Sequence, residues 1–320
     1  MSGEQIMKEY KINKDIINAI QNDNLLVFVG AGLSKNYEFP SWKELVFDIL
    51  NQLSIDDDKK YEGLKNVLEE NIFSEIEILD KLLIMNPGNR GRVYEVLESS
   101  INRNITDLDL SIPKKIGNVS SKIITTNYDM ILEKALPNFK KIIHDDTFHL
   151  ARLPEYKEYI FKIHGSIEKP ENCVLFRDDY KALYTTNAAI DRLKSIISDK
   201  TILFIGFSFN DEYVKETFKY ICDVYKNFNK THYILTTEHV DFSDYNLMPI
   251  SIDSWKELPE FLDFLVEKKE NSLLPQITNE IEKKEDPQSA LVEDSVFKIA
   301  ILYCNPIDSD PYYNLDNLLK

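Results

Sequence analysis

The stretch LLVFVGAGLSKNYEFPSW, residues 25 to 42, runs from an apolar pentapeptide directly into a glycine-rich turn. Only 9 of the 320 residues are glycine, and two of them, Gly30 and Gly32, lie in this turn. A buried strand that ends in small residues lets another group approach its backbone closely. The stretch therefore predicts the first strand of an α/β sheet, with a binding turn at its carboxyl end.

Further short apolar runs, separated by helical or turn segments, follow in the second half of the chain. These runs begin at Lys122, Tyr159, Cys173, Thr201, Tyr233 and Pro249. Strands that alternate with helices indicate a parallel sheet covered on both faces. The predicted fold class is α/β, with a Rossmann-like parallel sheet, helices on both faces and a helical subdomain inserted after the first strand.

Helical spacing dominates the segment after the first strand. Ser41 is placed to cap a helix that follows it. Between residues 61 and 85 apolar residues recur at intervals of three and four, which predicts one long amphipathic helix or two helices broken near Phe73. The turn NPGNRGR, residues 86 to 92, precedes another helix. The inserted helical block is predicted to cover about residues 43 to 112.

The domain boundaries follow from a change in composition near the end of the chain. Residues 1 to 266 are predicted to form the α/β domain. Residues 267 to 295 are charged and polar, contain two prolines and predict a linker. Residues 296 to 320 open with an apolar run and are predicted to start a further domain or to add a strand to the sheet.

The composition bounds the possible partners. The net charge of −16, from 38 basic and 54 acidic residues, repels phosphodiester backbones, and the absence of a basic patch disfavours nucleic-acid binding. The three cysteines, Cys173, Cys222 and Cys304, are too far apart for a zinc knuckle, so no metal is predicted. No apolar run reaches the roughly 18 residues that cross a bilayer. We expect a cytoplasmic protein that binds neither nucleic acid nor membrane.

Four predicted strands end in small or polar residues, at the edge where doubly wound sheets bind ligands. These ends are residues 30 to 34, 125 to 129, 164 to 166 and 206 to 211. Each end alone has an ordinary interpretation. The glycines could form only a tight turn, and Asn127 and Asp129 could cap a helix. His164 could be a core histidine, and Ser208 and Asn210 could form a turn. Because all four ends share one edge, together they favour a single binding crevice.

The motifs at these ends resemble a known family. Gly-Ala-Gly-x-Ser, Thr-x-Asn-x-Asp, His-Gly and Gly-x-Ser, in this order, resemble the NAD-binding and catalytic motifs of sirtuins. The match is closer to the bacterial sirtuin-like NAD hydrolases of anti-phage defence, the group of the Thoeris effector. NRGR, TTNYD, K-hydrophobic-HG, and LFIGFSF followed by Asn or Thr and Asp, recur in that group much as they stand here at residues 89 to 92, 125 to 129, 162 to 165 and 203 to 211. The resemblance covers roughly residues 10 to 265.

Two departures from sirtuin deacetylases affect the expected activity. Their small lobe holds zinc through four cysteines, which this chain does not have. Their Pro-Asp-Phe-Arg stretch, which helps to seat nicotinamide, is replaced by residues 37 to 42. Both departures favour hydrolysis of NAD over NAD-dependent deacylation.

The resemblance and the chemistry of the residues together predict an NAD site. The residues predicted to bind NAD are Gly30, Ala31, Gly32, Ser34, Asp129, Gly206, Ser208, Asn210 and Asp211. Backbone N–H groups at a helix start favour the pyrophosphate, and Ser34 offers its hydroxyl to the phosphates or the ribose. Small residues after the fourth strand end permit close approach of the adenosine half.

Asn127 and His164 are the predicted catalytic pair. The amide of Asn127 can donate and accept, so it is expected to position the nicotinamide ribose and the attacking water. An ordinary histidine has a pKa near 6.5, so His164 can take a proton from a ribose hydroxyl or from water. Asp129 is expected to orient the loop.

The resemblance implies an NAD+ hydrolase that releases nicotinamide and ADP-ribose, or a cyclic ADP-ribose, and depletes NAD+ during phage infection. It also implies a homo-oligomer, a tetramer or larger. Because such an enzyme must be silent before infection, we expect control by oligomerisation or by a sensor domain, with a phage component or a signalling ligand as the activator. Two alternatives stay open. One is an NAD-dependent protein deacylase, and the other is a module that senses NAD or ADP-ribose without turnover.

Overall fold

A computed structural model describes residues 10 to 271, except residues 56–58, 103–104, 186, 209–210, 227 and 239. The strands are β1 (Leu25–Val29), β2 (Lys122–Thr125), β3 (Lys140–Ile143), β4 (Tyr159–Lys162), β5 (Thr201–Ile205), β6 (His232–Thr236) and β7 (Leu247–Ser251). The helices are α1 (Lys14–Gln21), α2 (Ala31–Lys35), α3 (Trp42–Leu53), α4 (Glu62–Glu69), α5 (Glu75–Met85), α6 (Asn89–Ile101), α7 (Ser111–Val119), α8 (Ile131–Ala135), α9 (Thr147–Ala151), α10 (Arg177–Thr185), α11 (Ala188–Asp199), α12 (Glu212–Tyr225) and α13 (Leu258–Glu270).

The seven strands form one sheet in the order β3-β4-β2-β1-β5-β6-β7, and every neighbouring pair is parallel. β1 lies near the centre, with β2 on one side and β5 on the other. The chain moves outward from β1 in one direction and later returns to build the other half. The strand order therefore reverses beside β1, which is where doubly wound sheets open a crevice for ligands.

Helices cover both faces of the sheet, and alternate residues of β1 show this directly. Leu25, Val27 and Val29 pack into a core with residues of α1, α3 to α7 and α13. Leu26 and Phe28 pack into a second core with residues of α9 to α12. All five residues of β1 are buried because both faces are covered. The predicted α/β fold class is confirmed.

Local capping explains the helices that lie between β1 and β2. The hydroxyl of Ser41 accepts the N–H of Glu44 while that carboxylate accepts the N–H of Ser41, which forms the capping box that starts α3. Ser74 and Glu77 form the same arrangement at the start of α5. Since a new helix begins at this cap, the apolar pattern of residues 61 to 85 belongs to two helices, the second of the two predicted alternatives.

Two sequence predictions about strands were wrong. The buried run at residues 173 to 176 is a loop, because its N–H groups bind elsewhere: Val174 donates to the carbonyl of His164, and Leu175 and Phe176 donate to Asp179 Oδ2. The opposite error concerns β3, which the sequence analysis missed. This edge strand is only half-buried, so it lacks the continuous apolar run of the other strands.

The end of the domain and the segments beyond it were also predicted from composition. α13 continues to Glu270, so the first residues of the predicted linker are helical. The rest of the linker and residues 296 to 320 lie outside the described residues, so both stay predictions. Within residues 10 to 271, leaving aside the gaps, no helix has the length and apolar character needed to span a membrane.

His232 opens β6 with a fully buried imidazole, and this makes stability depend on pH. Its Nδ1 accepts the N–H of Ile202 at 3.3 Å. Burial, with a smaller effect of Lys230, lowers the pKa of His232 to about 3. The unfolded chain, with a histidine pKa near 6.5, binds more protons between these two values, so the free energy of unfolding falls as the pH decreases through this window.

We expect His232→Asn, whose Oδ1 can still accept the hydrogen bond, to weaken this pH dependence. The measurement is the urea midpoint by circular dichroism at about pH 7, 6 and 5, compared between the wild type and the variant. Because the variant has no imidazole to protonate, its midpoint should fall less on acidification. Equal decreases in the two proteins would contradict the assignment.

Candidate active site

The four strand ends singled out in the sequence lie side by side. From β4 through β2 and β1 to β5, these ends carry His164, Asn127, residues 30 to 34, and Gly206. Thr125 pairs with Lys162, so Asn127 and His164 each lie two residues beyond a paired position on neighbouring strands. Adjacent strands are about 4.8 Å apart. One edge of the sheet therefore brings together residues that are far apart in the sequence.

Three glycines bring the ends of β1 and β5 into backbone contact. The N–H of Gly30 donates to the carbonyl of Ile205 at 3.0 Å, and that of Gly32 donates to the carbonyl of Gly206 at 2.7 Å. A Cβ on Gly30 would lie 2.5 Å from the carbonyl oxygen of Gly206. Gly206 itself has a φ of +63°, and a Cβ there would lie 2.6 Å from the backbone nitrogen of Leu33. The glycines therefore allow two turns to pack tightly together.

This contact limits how the turn could bind a pyrophosphate. Two of the N–H groups predicted for that role, those of Gly30 and Gly32, already donate within the fold. Ala31 and Gly32 are exposed at the start of α2, while Gly30 is buried. The assignment of this turn to the pyrophosphate stays a prediction, with Ala31 the residue whose exposure suits it best.

Asn127 is held by a buried hydrogen-bond network. Its Nδ2 donates to the carbonyl oxygen of Gly30 at 3.0 Å and to Oγ of Ser34 at 2.9 Å. Its backbone N–H donates to Oγ1 of Thr125 at 3.0 Å, and this hydroxyl donates to the carbonyl of Val29. The network ties the end of β2 to the end of β1. The amide is thereby fixed in one orientation at the sheet edge, as positioning of a substrate requires.

Ser34 and Asp129 complete this network. The hydroxyl of Ser34 donates to Asp129 Oδ2 at 2.6 Å, and Asp129 Oδ1 accepts the N–H of Ile131 at 3.0 Å. Both side chains are buried, at 4% and 6% exposure. Because the hydroxyl and the carboxylate already have partners, they act here on Asn127 and on the loop. Their predicted contacts with phosphate or ribose stay predictions.

Lys162 is a charged residue of this region to which the sequence analysis gave no role. It is the last residue of β4 and only 1% exposed. Its Nζ donates to the carbonyl oxygen of Asp129. The same Nζ lies 3.0 Å from Glu133 Oε1 and forms an ion pair with this carboxylate, although the angles do not meet those of a hydrogen bond. Because an unpaired buried charge is costly, this pairing anchors the loop after β2. The sequence signal for this role was a lysine at the end of an otherwise apolar strand.

His164 is buried, at 3% exposure, among polar and aromatic groups. Its Nε2 is in hydrogen-bond contact with the hydroxyl of Tyr184 at 2.9 Å and lies 3.9 Å from Asp211 Oδ2. Burial lowers the pKa of His164 to about 4, with Asp211 opposing the shift and His144 adding to it. The imidazole is therefore neutral at neutral pH, and a neutral imidazole can accept a proton.

A cluster of three tyrosines, two of which contact the imidazole, was not expected from the sequence. The ring of Tyr180 meets His164 edge-on with centroids 5.2 Å apart. Tyr180 stacks on Tyr213 at 4.7 Å, and Tyr184 lies 5.1 Å from Tyr213. Tyr180 and Tyr184 belong to α10, and Tyr213 belongs to α12. No spacing in the sequence connects these helices to His164, because their contact arises only from tertiary packing.

The structure describes only part of the segment predicted to line the adenosine half. Ser208 is exposed, and Asn210 lies outside the described residues. Oδ1 of Asp211 caps α12 by accepting the N–H groups of Tyr213 and Val214, each at 3.0 Å. Its other oxygen lies 3.9 Å from Nε2 of His164, so Asp211 lies beside this imidazole as well as at the start of α12. The adenosine assignments stay predictions.

Among the described residues, no group of three or more His, Cys, Asp and Glu side chains is arranged to hold a metal ion. Cys173 and Cys222 are both buried as free thiols.

The sequence of this chain is similar to those of known proteins. Residues 121–252 match the family described as SIR2-like domain. The chain is also a relative of proteins named NAD(+) hydrolase ThsA. It is 27% identical over 280 residues to the one from Bacillus cereus (strain MSX-D12), an alignment that covers 78% of this chain and 55% of the relative.

Two further relatives give the same result. The NAD(+) hydrolase ThsA of Enterococcus faecium is 30% identical over 247 residues, covering 72% of this chain and 48% of that protein. A Bacillus subtilis protein named Defense-associated sirtuin 2 is 26% identical over 232 residues, covering 70% of this chain and 22% of that protein. The chain spans about half the length of the ThsA relatives it matches. The sirtuin-like resemblance predicted from the motifs is confirmed.

Proposed function

We propose that this chain hydrolyses NAD+ at the N-glycosidic bond, releasing nicotinamide and ADP-ribose or a cyclic ADP-ribose. The observation that carries the proposal is the placement of Asn127 and His164 at equivalent positions on neighbouring strands, beside the glycine turn after β1. The relatives named NAD(+) hydrolase ThsA support the same reaction.

Hydrolysis of the N-glycosidic bond requires few catalytic groups from the protein. When the N-glycosidic bond breaks, its electron pair moves onto the cationic ring nitrogen, so nicotinamide leaves as a neutral molecule and needs no general acid. The ribosyl carbon passes through an oxocarbenium-like transition state, by analogy with glycoside hydrolysis. The protein must therefore hold the ribose, stabilise developing positive charge and admit a nucleophile on the opposite face.

Asn127 and His164 match these tasks. The fixed amide of Asn127 positions the ribose and the attacking water, and its orientation is maintained through Ser34 and Asp129. His164 is neutral and accepts the proton that water, or a ribose hydroxyl, loses as it attacks. A ribose hydroxyl as nucleophile would give a cyclic product, and water would give linear ADP-ribose.

The biological role follows from the relatives rather than from the site. We propose an effector that depletes cytoplasmic NAD+ during phage infection, as the name Defense-associated sirtuin 2 supports for a relative. Such an enzyme has to be inactive until infection. We therefore propose that it works as a homo-oligomer, a tetramer or larger, controlled by a phage component or a signalling ligand, with the helices between β1 and β2 as a candidate interface.

The test is to incubate the purified protein with NAD+ at several protein concentrations and to identify the products by mass. We expect nicotinamide and ADP-ribose, or its cyclic form, with a specific activity that rises with concentration if assembly activates the enzyme. Added acetylated peptide should leave the products unchanged. O-acetyl-ADP-ribose would identify a deacylase instead, and NAD+ that binds without being consumed at any concentration would identify a sensing module.

A further inference from the structure

The hydroxyl of Tyr184 occupies a nitrogen of the proposed catalytic base. It lies 2.9 Å from Nε2 of His164, and the edge of Tyr180, one turn earlier on α10, packs against the same imidazole. With its ring only 3% exposed, His164 is screened from water and from substrate. A base that is to accept a proton through Nε2 has to lose this contact first.

The first turn of α10 is attached to the helices between β1 and β2. Nε of Arg177 donates to Asp80 Oδ2 at 2.6 Å, and the N–H of Arg177 donates to Asp80 Oδ1, which ties α10 to α5. Arg90 of α6 pairs with Asp179 at 3.3 Å. The guanidinium of Arg90 also lies 4.2 Å above the ring of Phe176, just before α10. Arg90 is the first arginine of the NRGR motif, to which no role had been assigned.

We propose that α10 is an autoinhibitory strap, in which Tyr184 covers His164 while the pairs Asp80–Arg177 and Arg90–Asp179 hold the strap closed. The inference rests on the proposed function and concerns the regulation of the same site. Hydrolysis then requires the end of α10 to shift far enough to separate the Tyr184 hydroxyl from Nε2 of His164, and a signal that moves α5 or α6 would release it. The lowered pKa of the buried His164 agrees with this, because a base is most effective when its pKa is near the working pH.

The ion pairs of α10 and the Tyr184 hydrogen bond are weak enough to be broken by a regulatory signal. The side chains of the two ion pairs are between 24% and 55% exposed, and exposed pairs contribute little free energy each. A single hydrogen bond such as that of Tyr184 is similarly modest. Tyr180 and Leu183 of α10 stay packed in the second core, at 4% and 2% exposure, so the switch is limited to the Tyr184 contact and the two ion pairs. A modest difference in binding between the two states is enough to break these contacts.

The first experiment removes the covering hydroxyl. We expect Tyr184→Phe to raise the rate of nicotinamide release by about 2- to 10-fold at fixed protein concentration, because one hydrogen bond of the closed state is lost. Tyr220→Phe is the matched control, since Tyr220 is 53% exposed on α12 and lies outside the stacked cluster. Its rate should equal that of the wild type.

The second experiment weakens the ion pairs that attach α10 to α5 and α6. Asp80→Asn and Asp179→Asn should each raise the rate by about 2- to 5-fold, as expected for exposed ion pairs. Asparagine at position 179 keeps an oxygen that can accept the N–H groups of Leu175 and Phe176, so the start of α10 is preserved. Asp178→Asn, an equal charge change at an exposed neighbouring position of the same helix, should leave the rate unchanged.

A readout that does not need NAD hydrolysis separates the two proposals. Diethylpyrocarbonate modifies accessible neutral imidazoles, and peptide mass mapping reports the labelling of His164 alone. We expect faster labelling of His164 in Tyr184→Phe, Asp80→Asn and Asp179→Asn, and wild-type labelling in both controls. If labelling accelerates but no protein consumes NAD+, the strap is correct and the proposed hydrolase function is wrong. Unchanged labelling, or a hydrolysis rate that falls or stays constant in an active Tyr184→Phe protein, overturns the strap.

Discussion

Replacement of His164 with alanine is expected to lower the rate of NAD+ hydrolysis by about 10²- to 10⁴-fold, the contribution typical of a positioned general base. The physical reason is that Asn127 and Ser34, which remain at the site, carry an amide and a hydroxyl, and neither group accepts a proton from water at neutral pH. The measurement is nicotinamide release under conditions in which the wild-type protein is active.

The control for this variant is another histidine that also contacts a tyrosine hydroxyl. His149 on α9 is partly buried and hydrogen-bonded to Tyr156, but it lies outside the row of strand ends. His149→Ala should retain the wild-type rate. Because the imidazole of His164 packs against Tyr180, circular dichroism has to show that the variant is folded, and His164→Gln, which fills more of the space, should lose activity equally. Wild-type turnover in a folded His164→Ala protein would remove this residue from the mechanism.

Gly206→Ala is expected to destabilise the fold by about 2–5 kcal/mol. A φ of +63° places residue 206 in the left-handed region, which costs a residue with a Cβ about 1–2 kcal/mol. The new Cβ would also lie 2.6 Å from the backbone nitrogen of Leu33, and overpacking of this kind costs about 1–3 kcal/mol. The contact is with backbone, so no side chain can rotate away to relieve it.

The measurement for Gly206→Ala is the free energy of unfolding from urea titration. The matched control is Gly63→Ala on α4, where a Cβ would meet no atom within 4 Å. Since alanine is the better helix former, this control should be neutral or more stable by up to about 1 kcal/mol. Equal unfolding free energies for Gly206→Ala and the wild type would show that the turns after β1 and β5 do not pack as described.

The strands in the central part of the sheet could be predicted from the sequence. β1, β2, β4 and β5 each present an apolar run because both faces of a parallel sheet are buried, and burial is what such runs report. The same reasoning failed for residues 173 to 176, which are buried without pairing to another strand. It also failed for β3, whose exposed edge position removes the signal.

Part of the candidate site was also predictable. Because the carboxyl ends of parallel strands share one edge, a polar end on each of four strands predicts proximity without knowledge of the contacts. That rule brought Asn127 and His164 together. It could not predict that Tyr184 covers His164, or that Asp211 turns one oxygen toward the imidazole, because these depend on how α10 and α12 pack. The engagement of the Gly30 and Gly32 N–H groups likewise depends on the exact approach of two turns.

The central position of β1 also decides how the protein can be divided. The segment that matches the SIR2-like domain family, residues 121–252, contains six of the seven described strands but not β1. In the sheet, β1 is the strand that joins β2 to β5. A fragment cut at the family boundaries would therefore consist of two three-stranded pieces with unpaired inner edges, and such edges recruit other chains. Soluble truncations of this protein must begin before Leu25.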